Sequence, residues 1–566
     1  MKRLLPRWLT GYRREWLGGD LIAGLIVTVM LVPQSLAYAM LAGLPPQMGL
    51  YASVLPIIAY AVFGTSMALA VGPVAVASLM TASALSPLAA PGSAEYVAFA
   101  IQLALLSGLM LFAFGLLRLG FLAHFLSHPV ISGFISGAAL LIAIGQVRHL
   151  MGVRIEADGV VETVVALIAA LPSTNPFTLA IGLGSVLLLI VARRSLPDWL
   201  AAAGLQRPRA ELLARLAPMA VVVVATMVVA VFDLDRDARV AVVGAVPAGL
   251  PGLPSFERLI PGWGVLRELL LPALLISLVG FVESVSVAQS FALKRRQRID
   301  ANRELLGLGA ANAASALSGG FPVTGGLARS VVNFSAGANT PLAGIVSALL
   351  MAVVLMLLTG WFRAMPHAVL AATILVAVAS LVDLKTLREA WAYDRADALA
   401  LMATALGVLV IGVEQGIVLG VVLSLAVIVW RGSRPHIAVI GRMPGTEHFR
   451  NVERHAVETI PGSLVLRIDE SLLFANAMHV RERIETLVAA DASIRRVVIS
   501  FAGVNQIDTT GLEMLIALDV DLQRRGVDLA LAEIKGPVMD RLIGTSFGQT
   551  MRERVYLSLH EALGAR

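Results

Sequence analysis

The sequence predicts a polytopic α-helical membrane protein with a small α/β domain at its carboxyl end. Apolar residues make up 58% of the 566-residue chain and charged residues only 14%, whereas soluble domains carry about 25% charged residues. Two apolar segments are interrupted by proline, at Pro73 in the first half and at Pro322 in the second. The two places match, because Pro73 follows the polar residue Gln34 by 39 residues and Pro322 follows Glu283 by the same number. Paired breaks of this kind are typical of inverted-repeat transporters, in which unwound backbone lines a cavity near the membrane midplane.

The membrane part divides into two halves of seven apolar segments each, with lengths near the roughly 17–25 residues of membrane helices. The first half, residues 20–232, has segments at 20–40, 44–63, 73–88, 96–117, 129–147, 177–192 and 213–232. After a Pro- and Gly-rich linker, the second half, residues 264–430, has segments at 269–293, 305–317, 321–336, 341–358, 366–382, 396–413 and 415–430. We therefore expect fourteen transmembrane helices arranged as a seven-plus-seven inverted repeat.

The charge pattern predicts the orientation of these segments. An odd number of segments in each half inverts the second half relative to the first, and residues 1–19 then form a short cytoplasmic segment. Basic clusters fall on the cytoplasmic side, as the positive-inside rule requires. They are Arg118, Arg193, Arg194, Arg207, Arg209, Arg215, Lys294, Arg295, Arg296, Arg298, Arg431 and Arg434, and Arg148 is the exception. We expect a multi-pass protein of a bacterial-type inner membrane with both termini in the cytoplasm.

The chain changes character after Trp430, so we place a transmembrane transport domain at 20–433 and a cytoplasmic domain at 434–566. Buried strands are predicted at 463–469, 496–501 and 528–534, and helices at 477–489, 510–524 and 537–543. Strands that alternate with helices in this way are typical of an α/β domain.

Several function classes are disfavoured. The chain has no Cys, and its nine His show no metal-binding spacing, so neither a metal nor another cofactor is expected. The basic residues flank apolar segments rather than forming a nucleic-acid surface. No nucleophile–base pair appears at membrane depth, which disfavours an enzyme.

Glu283 is the only charged residue between Leu269 and Leu293. An acid at the centre of a membrane helix costs roughly 2.5–3.5 kcal/mol, so such a residue usually faces a cavity, a partner or a proton path. Ser286 and Ser290 share its helical face and extend it to a polar stripe. A purely structural contact with another helix is the alternative.

The second break is followed by a helix that contains Arg329. The start of this helix and the start of the helix after Pro73 are predicted to face each other, and each contributes about half a positive charge through its dipole. With Arg329 the sum is near +2, which indicates an anion site. The alternative for Arg329 is a side chain that extends to the membrane surface.

These residues also carry a family resemblance. The string 31–51, which contains Val32-Pro-Gln-Ser35, resembles the N-terminal signature of the SulP/SLC26 anion transporters. Residues 320–330, Gly-Phe-Pro-Val-Thr-Gly-Gly-Leu-Ala-Arg-Ser, resemble their tenth helix, and residues 246–251 match a family loop. Ile507-Asp-Thr-Thr-Gly511 resembles the hallmark of a STAS domain. The resemblance implies core and gate domains and, in most members, a homodimer that moves sulfate, bicarbonate, chloride, nitrate or dicarboxylates.

The resemblance also implies which residues bind the anion. The family site lies between the first helix and the two half-helices, and its positions correspond here to Gln34, Tyr38, Val74, Ala328 and Arg329, with Glu283 as the family acid. Many members have Ser where this chain has Ala328. We therefore expect backbone N–H groups and Ser330 to replace that hydroxyl.

The charge balance favours a divalent anion, since a site near +2 is balanced when Glu283 is neutral. Residues 283–305 also resemble the sulfate-permease-like branch of the family, so we expect proton-coupled sulfate uptake by alternating access. The alternatives are proton- or sodium-coupled transport of bicarbonate, nitrate or a dicarboxylate, and anion exchange. A nucleobase permease and an anion-gated sensor are less favoured.

The tail has one candidate regulatory residue. Thr510 corresponds to a position that is phosphorylated in soluble STAS proteins, but Thr510-Gly-Leu-Glu513 also has the pattern of a capping box. We expect the tail to support dimerisation or to bind a cytoplasmic regulator.

Overall fold

The computed structural model describes residues 6–124, 127–155, 157 and 159–564. The chain divides into two compact units between Ser424 and Leu425. This division lies inside a helix, before the predicted start of the tail domain at 434. Each unit is described by itself below.

The first unit is almost entirely helical. Its first half contains α1 (Arg7–Thr10), α2 (Leu17–Leu41), α3 (Gln47–Tyr51), α4 (Leu55–Phe63), β1 (Val71–Gly72), α5 (Ala75–Leu85), α6 (Ala94–Leu116), α7 (His128–Met151), α8 (Val160–Ala169), α9 (Pro176–Ala202), α10 (Arg207–Ala214), α11 (Ala217–Val231) and α12 (Leu234–Asp237). Its second half contains α13 (Phe256–Leu259), α14 (Trp263–Lys294), α15 (Ala301–Leu317), β2 (Thr324–Gly325), α16 (Leu327–Ser335), α17 (Leu342–Leu357), α18 (His367–Val378), α19 (Leu384–Tyr393), α20 (Arg395–Val410) and α21 (Val413–Ser433).

Each of the fourteen predicted apolar segments overlaps a helix. Within the described residues, six helical stretches are long and apolar enough to cross a membrane: Arg14–Leu41, Ala94–Leu116, His128–Met151, Pro176–Ala202, Trp263–Lys294 and Val413–Ser433. Shorter apolar helices, among them α5, α11, α17 and α18, lie between them. Helices α8, α10 and α19 were not predicted from the sequence.

The two breaks meet in a short antiparallel pair of strands. Val71 of β1 lies opposite Gly325 of β2, and Gly72 lies opposite Thr324. Because the residues of the two breaks pair as strands, the helices that follow begin late: α5 begins at Ala75 and α16 at Leu327. Both helices are therefore shorter than the predicted segments 73–88 and 321–336.

Small residues allow the helices around this pair to approach closely. Helix α15 packs on α6 and α4, and α17 packs on α2. A Cβ at Gly309 of α15 would lie 3.0 Å from the carbonyl oxygen of Gly108 in α6, so the two backbones touch as small-residue membrane interfaces do. Two large apolar clusters hold the helices on either side of the strand pair.

The second unit is an α/β domain built on a six-stranded sheet of order β4-β3-β5-β6-β7-β8. Its elements are β3 (Ile437–Arg442), β4 (Phe449–Asn451), β5 (Ser463–Ile468), α22 (Ala477–Ala490), β6 (Arg496–Ser500), α23 (Thr509–Arg524), β7 (Asp528–Ala532), α24 (Gly536–Ile543), α25 (Ser546–Thr550), β8 (Val555–Tyr556) and α26 (Leu559–Ala562). Strands β5 to β8 are parallel, and β3 is antiparallel to β5. The three predicted strands are confirmed as β5, β6 and β7.

Candidate functional site

The strand pair places the first turns of α5 and α16 beside each other. Val74 is the N-cap residue of α5 and Gly326 that of α16, and in neither helix does an N-cap side chain accept a hydrogen bond from a backbone N–H group. The first backbone N–H groups of both helices therefore lack the side-chain partner that usually satisfies them. Two such ends give a concentrated positive potential.

Arg329 lies between the two breaks. Its side chain is 3% exposed, and its guanidinium rests on two glycines. A Cβ at Gly72 would lie 2.7 Å from Nη1, and one at Gly326 would lie 3.1 Å from Nη2. Among the described residues, no protein atom accepts a hydrogen bond from either Nη1 or Nη2. The site thus holds a buried cation whose terminal donors are available to a ligand.

Glu283 and Tyr38 accompany this cation. Both interact electrostatically with Arg329 across the site. Glu283 is half-buried on α14, and its Oε2 is buried with no hydrogen-bond partner in the described part of the chain. Tyr38 is buried on α2, and Gln34 lies one turn earlier on the same helix and is half-buried. The structure therefore brings the predicted acid, the predicted arginine and helix α2 together.

The remaining predicted contacts differ in accessibility. Val74 is buried at the start of α5, whereas Ala328 is exposed in the first turn of α16. Ala328 has no polar side-chain atom, so the only hydrogen-bond donor that it can offer is its backbone N–H.

The expectation for Ser330 is corrected. Its side chain is fully buried, its hydroxyl donates to the carbonyl oxygen of Gly326 at 2.8 Å, and it accepts from the backbone N–H of Ala70 at 2.9 Å. Since its one hydroxyl proton is already used, Ser330 has none for an anion. Its function is to join α16 to the chain that enters β1.

Two hydroxyls that the sequence did not single out connect Glu283 to the second break. The hydroxyls of Ser284 and Thr324 lie 2.7 Å apart, and Ser284 Oγ also accepts from the backbone N–H of Gly325 at 2.9 Å. Thr324 donates to the carbonyl oxygen of Gly280 at 2.7 Å. The helix that carries the acid is thus fixed to the strand that precedes Arg329. Because Ser and Thr are common in membrane helices, no sequence signal marked them.

Glu304 is a second residue that sequence reasoning missed. It is fully buried in the first turns of α15. Its Oε2 accepts from Tyr60 Oη at 2.7 Å, and its Oε1 accepts from Thr65 N at 2.7 Å, Thr65 Oγ1 at 2.5 Å and Ser66 N at 3.1 Å. Glu304 therefore fixes the loop that leads from α4 into β1. Glu304 lies just before the predicted apolar segment 305–317, so it did not stand out as a charged residue inside a membrane helix.

A small cavity borders Arg329. Polar lining comes from Tyr60, Arg329, Asn333 and Ser347, and its volume is about 20 Å³. This is room for about one water, not for a tetrahedral oxyanion of five heavy atoms.

The candidate regulatory residue is exposed in the second unit. Thr510 lies in the first turn of α23, and the N-cap residue is Asp508, whose carboxylate accepts from the backbone N–H groups of Gly511 at 2.8 Å and Phe474 at 2.7 Å. The predicted capping box that starts at Thr510 is therefore corrected to a cap by Asp508. The hydroxyl of Thr510 lies on an exposed residue. Across the described residues, no group of three or more His, Cys, Asp or Glu side chains is arranged to hold a metal ion.

Similar proteins agree on one family. Residues 17–404 match the sulfate permease family, and residues 454–562 match the STAS domain. The chain is 36% identical over 541 residues to the chloroplastic sulfate transporter 4.1 of Arabidopsis thaliana, with 93% of this chain and 76% of that protein covered. It is 34% identical over 561 residues to a probable sulfate transporter of Mycobacterium tuberculosis, with 98% and 96% covered.

Solved structures agree on the fold. The murine Solute Carrier 26 family member A9 anion transporter in its inward-facing state superimposes with a TM-score of 0.90 at 23% identity, over 99% of this chain and 93% of that one. The transmembrane domain of a cyanobacterial bicarbonate transporter, BicA, superimposes with a TM-score of 0.58 at 24% identity, over 73% and 98%. The predicted resemblance is confirmed: the chain belongs to the sulfate permease family of membrane transporters and has the SLC26 transporter fold with a STAS domain.

Proposed function

We propose that this protein takes up sulfate together with protons, by alternating access across a bacterial-type inner membrane. The observation that carries the proposal is the Arg329 guanidinium, buried between two helix starts, whose two terminal nitrogens have no acceptor among the residues that the structure describes. A buried cation with available donors is suited to an inorganic oxyanion, since charge-assisted N–H···O bonds are strong and directional. Relatives named as sulfate transporters support this substrate.

Charge balance supports a proton as the coupled ion. Two helix starts contribute about half a positive charge each and Arg329 contributes one, so the site carries about +2. A neutral Glu283 leaves this charge for a divalent anion, whereas an ionised Glu283 leaves only about +1. Protonation of Glu283 therefore favours sulfate binding. Release of sulfate to the cytoplasm in turn favours loss of the proton from Glu283.

Sodium is the less favoured coupled ion. Na⁺ needs several oxygen ligands with free lone pairs. Ser286, on the face of Glu283, offers one such hydroxyl, because its proton is donated to Val282 O, and the other hydroxyls close by on α14 and β2 are those of Ser284 and Thr324. These two hydroxyls bond to each other, to Gly280 O and to Gly325 N. Their mutual hydrogen bonds leave few lone pairs for a cation.

The wider architecture in this proposal has fourteen crossings in a seven-plus-seven inverted repeat, with both termini in the cytoplasm. The protein acts as a homodimer, and the STAS domain binds a cytoplasmic regulator or supports the dimer. Thr510 is the proposed phosphorylation site, because its residue is exposed beside the N-cap of α23.

Labelled sulfate uptake into proteoliposomes tests the function. We expect wild-type protein to accumulate sulfate under an inward proton gradient and not under an inward sodium gradient alone. Glu283→Gln mimics the protonated acid, so sulfate binding is retained while accumulation no longer follows the proton gradient. Glu268→Gln, on the exposed start of the same helix, is the matched control and keeps wild-type behaviour.

Two results contradict the proposal in different ways. A Glu283→Gln protein that still follows the proton gradient like wild type would remove the coupling role of this acid. Absence of sulfate uptake under every gradient would remove sulfate as the substrate, and bicarbonate, nitrate or a dicarboxylate is then assayed in the same vesicles.

A further inference from the structure

One face of α14 remains polar far beyond Glu283. Glu283, Ser286, Ser290 and Lys294 follow one another at spacings of three or four residues, so they lie on one side of the helix. Ser286, Ser290 and Lys294 are exposed, and Glu283 is half-buried. Polar and charged side chains exposed at membrane depth line water rather than lipid. From Glu283 to Lys294 this polar face extends over about 16 Å, at 1.5 Å per residue.

Helix α16 lies beside this face and forms a second wall. The rings of Phe291 in α14 and Phe334 in α16 stack with their centres 5.0 Å apart. The exposed side of α16 continues from Ala328 to Ser335. The exposed faces of the two helices thus lie side by side, and we call the strip between them, from Ala328 to Lys294, the α14–α16 groove.

Lys294 stands at the end of this groove without a carboxylate partner among the described residues. Its Nζ lies 5.6 Å from the ring centre of Phe291 and 5.9 Å from that of Phe334. Aromatic faces hold an ammonium group without using its N–H donors as a carboxylate does. The charge is therefore fixed in place and its donors remain available.

The neighbouring cation is used differently. The guanidinium of Arg295 stacks on Phe334, with its Cζ 4.4 Å from the ring centre, and its Nη2 donates to the carbonyl oxygen of Ala338 at 2.6 Å. Arg295 also interacts electrostatically with the buried Asp20. Arg295 is thus committed to the packing of α14 against the end of α16, whereas Lys294 is not.

The serines of the groove do not compete for the anion. Ser286 donates its hydroxyl proton to Val282 O at 2.7 Å, and Ser290 donates to Ser286 O at 2.8 Å. Both hydroxyls therefore present lone pairs to water rather than donors to an anion. Lys294 is the next charged residue on this face of α14 after Glu283, while on the α16 side Arg215 uses its Nη1 to donate to the carbonyl oxygen of Val331 at 3.3 Å.

We propose that Lys294 forms a second contact for the transported inorganic oxyanion, at the cytoplasmic end of the α14–α16 groove. The inference rests on the proposed function and adds a position to it: anions released from Arg329 pause at Lys294, and anions that enter from the cytoplasm are concentrated there. A charged residue at the end of a confined polar path raises the local concentration of the opposite charge and depends on ionic strength.

The test compares the two faces of the membrane in right-side-out and inside-out vesicles. Lys294→Gln is expected to raise the KM for labelled sulfate presented at the cytoplasmic face by roughly twofold to fivefold, the range for loss of one partly screened ionic contact. The KM at the opposite face stays at the wild-type value. Lys294→Arg, which keeps the charge and the contact with the two rings, restores the cytoplasmic KM.

Arg296→Gln is the matched control, because Arg296 is an exposed cation two residues further on and outside the polar face. We expect it to leave both KM values unchanged, and the salt dependence of the cytoplasmic KM to weaken only in Lys294→Gln. If Arg296→Gln raises the cytoplasmic KM as much as Lys294→Gln does, Lys294 acts only through the general surface charge and the proposed contact is wrong. An unchanged cytoplasmic KM in Lys294→Gln would also overturn the contact.

Failure of the proposed function has a separate signature, since wild-type vesicles then show no sulfate transport at either face. In that event the same four proteins are compared with labelled bicarbonate. The proposal predicts the same one-sided change for any inorganic oxyanion that the protein moves, and an unchanged KM for that anion would overturn it.

Discussion

Arg329 reaches its position because two neighbouring residues have no side chain. Its guanidinium fills the space in which a Cβ at Gly72 or Gly326 would stand. Gly72 also has a φ of +152°, a backbone conformation that other residues rarely adopt. The glycines of the two breaks therefore have two functions: they permit strand pairing, and they make room for the buried cation.

This arrangement predicts the effect of Gly72→Ala. The new Cβ would lie 2.7 Å from Nη1, so the guanidinium must move away from the helix starts. Loss or weakening of one charge-assisted hydrogen bond costs about 1.5–3 kcal/mol, and we expect the affinity for sulfate to fall roughly tenfold to a hundredfold. Equilibrium binding of labelled sulfate to purified protein measures this change.

The control for that experiment is Gly184→Ala in α9. A Cβ at this glycine meets no atom within 4 Å, so sulfate binding stays at the wild-type value. If Gly72→Ala binds sulfate as tightly as wild type, the guanidinium is not confined by β1, and the geometry of the site needs another explanation.

At the scale of elements, the chain between α4 and α5 is held from two sides. Glu304 of α15 accepts four hydrogen bonds from Tyr60, Thr65 and Ser66. From the other side, Asn333 Nδ2 donates to Ala68 O at 3.1 Å, and Ala70 donates to Ser330. The first break is therefore positioned by helices of the second half, so β1 and β2 cannot move independently without loss of buried hydrogen bonds.

Glu304→Ala is expected to destabilise the whole protein. It leaves the backbone N–H groups of Thr65 and Ser66 and the hydroxyl of Tyr60 without their acceptor, and each buried unsatisfied donor costs about 1–3 kcal/mol. We expect a loss of roughly 3 kcal/mol or more, seen as a lower midpoint of thermal unfolding in detergent. Glu304→Gln keeps one carbonyl acceptor and loses less.

Glu268→Ala serves as the comparison, because this acid is exposed on α14 and its removal leaves the unfolding midpoint unchanged. A Glu304→Ala protein as stable as wild type would mean that Thr65, Ser66 and Tyr60 find other partners, and that Glu304 does not position the first break.

The elements show which physical signals a sequence carries. Gly72-Pro73 in the first half and Gly320-Phe-Pro322 in the second disfavour a continuous helix, and their recurrence at matching places made both breaks predictable. Proline alone would not suffice, because Pro33 and Pro272 lie inside the unbroken helices α2 and α14. The strand pairing of Val71 with Gly325 depends on contacts between distant parts of the chain, and a two-residue strand has no periodicity. The hydrogen bonds of the Ser330 hydroxyl and of the Glu304 carboxylate also join distant parts of the chain, so they were not predictable from the sequence either. Helices α8, α10 and α19 were not predicted because none of them forms a long apolar segment.

At the scale of the whole molecule, orientation and crossing number are linked. If the predicted fourteen segments all cross the membrane, nine crossings separate the loop before α9 from the α/β unit, and these two regions lie on opposite faces. If one of the short helices α11, α16, α17 or α18 does not cross the membrane, the number of crossings between these two regions becomes even. A topology measurement therefore tests the inverted repeat itself.

The chain offers a direct way to make that measurement, because it contains no Cys. Ser173 and Ser493 are both exposed, and each can be replaced singly by Cys in an otherwise unchanged protein. In intact cells, we expect a membrane-impermeant thiol reagent to label Ser173→Cys only. In inside-out vesicles it labels Ser493→Cys only, and detergent exposes both sites to the reagent. Labelling of both positions from the same side would require an even number of crossings between them and would exclude the seven-plus-seven arrangement.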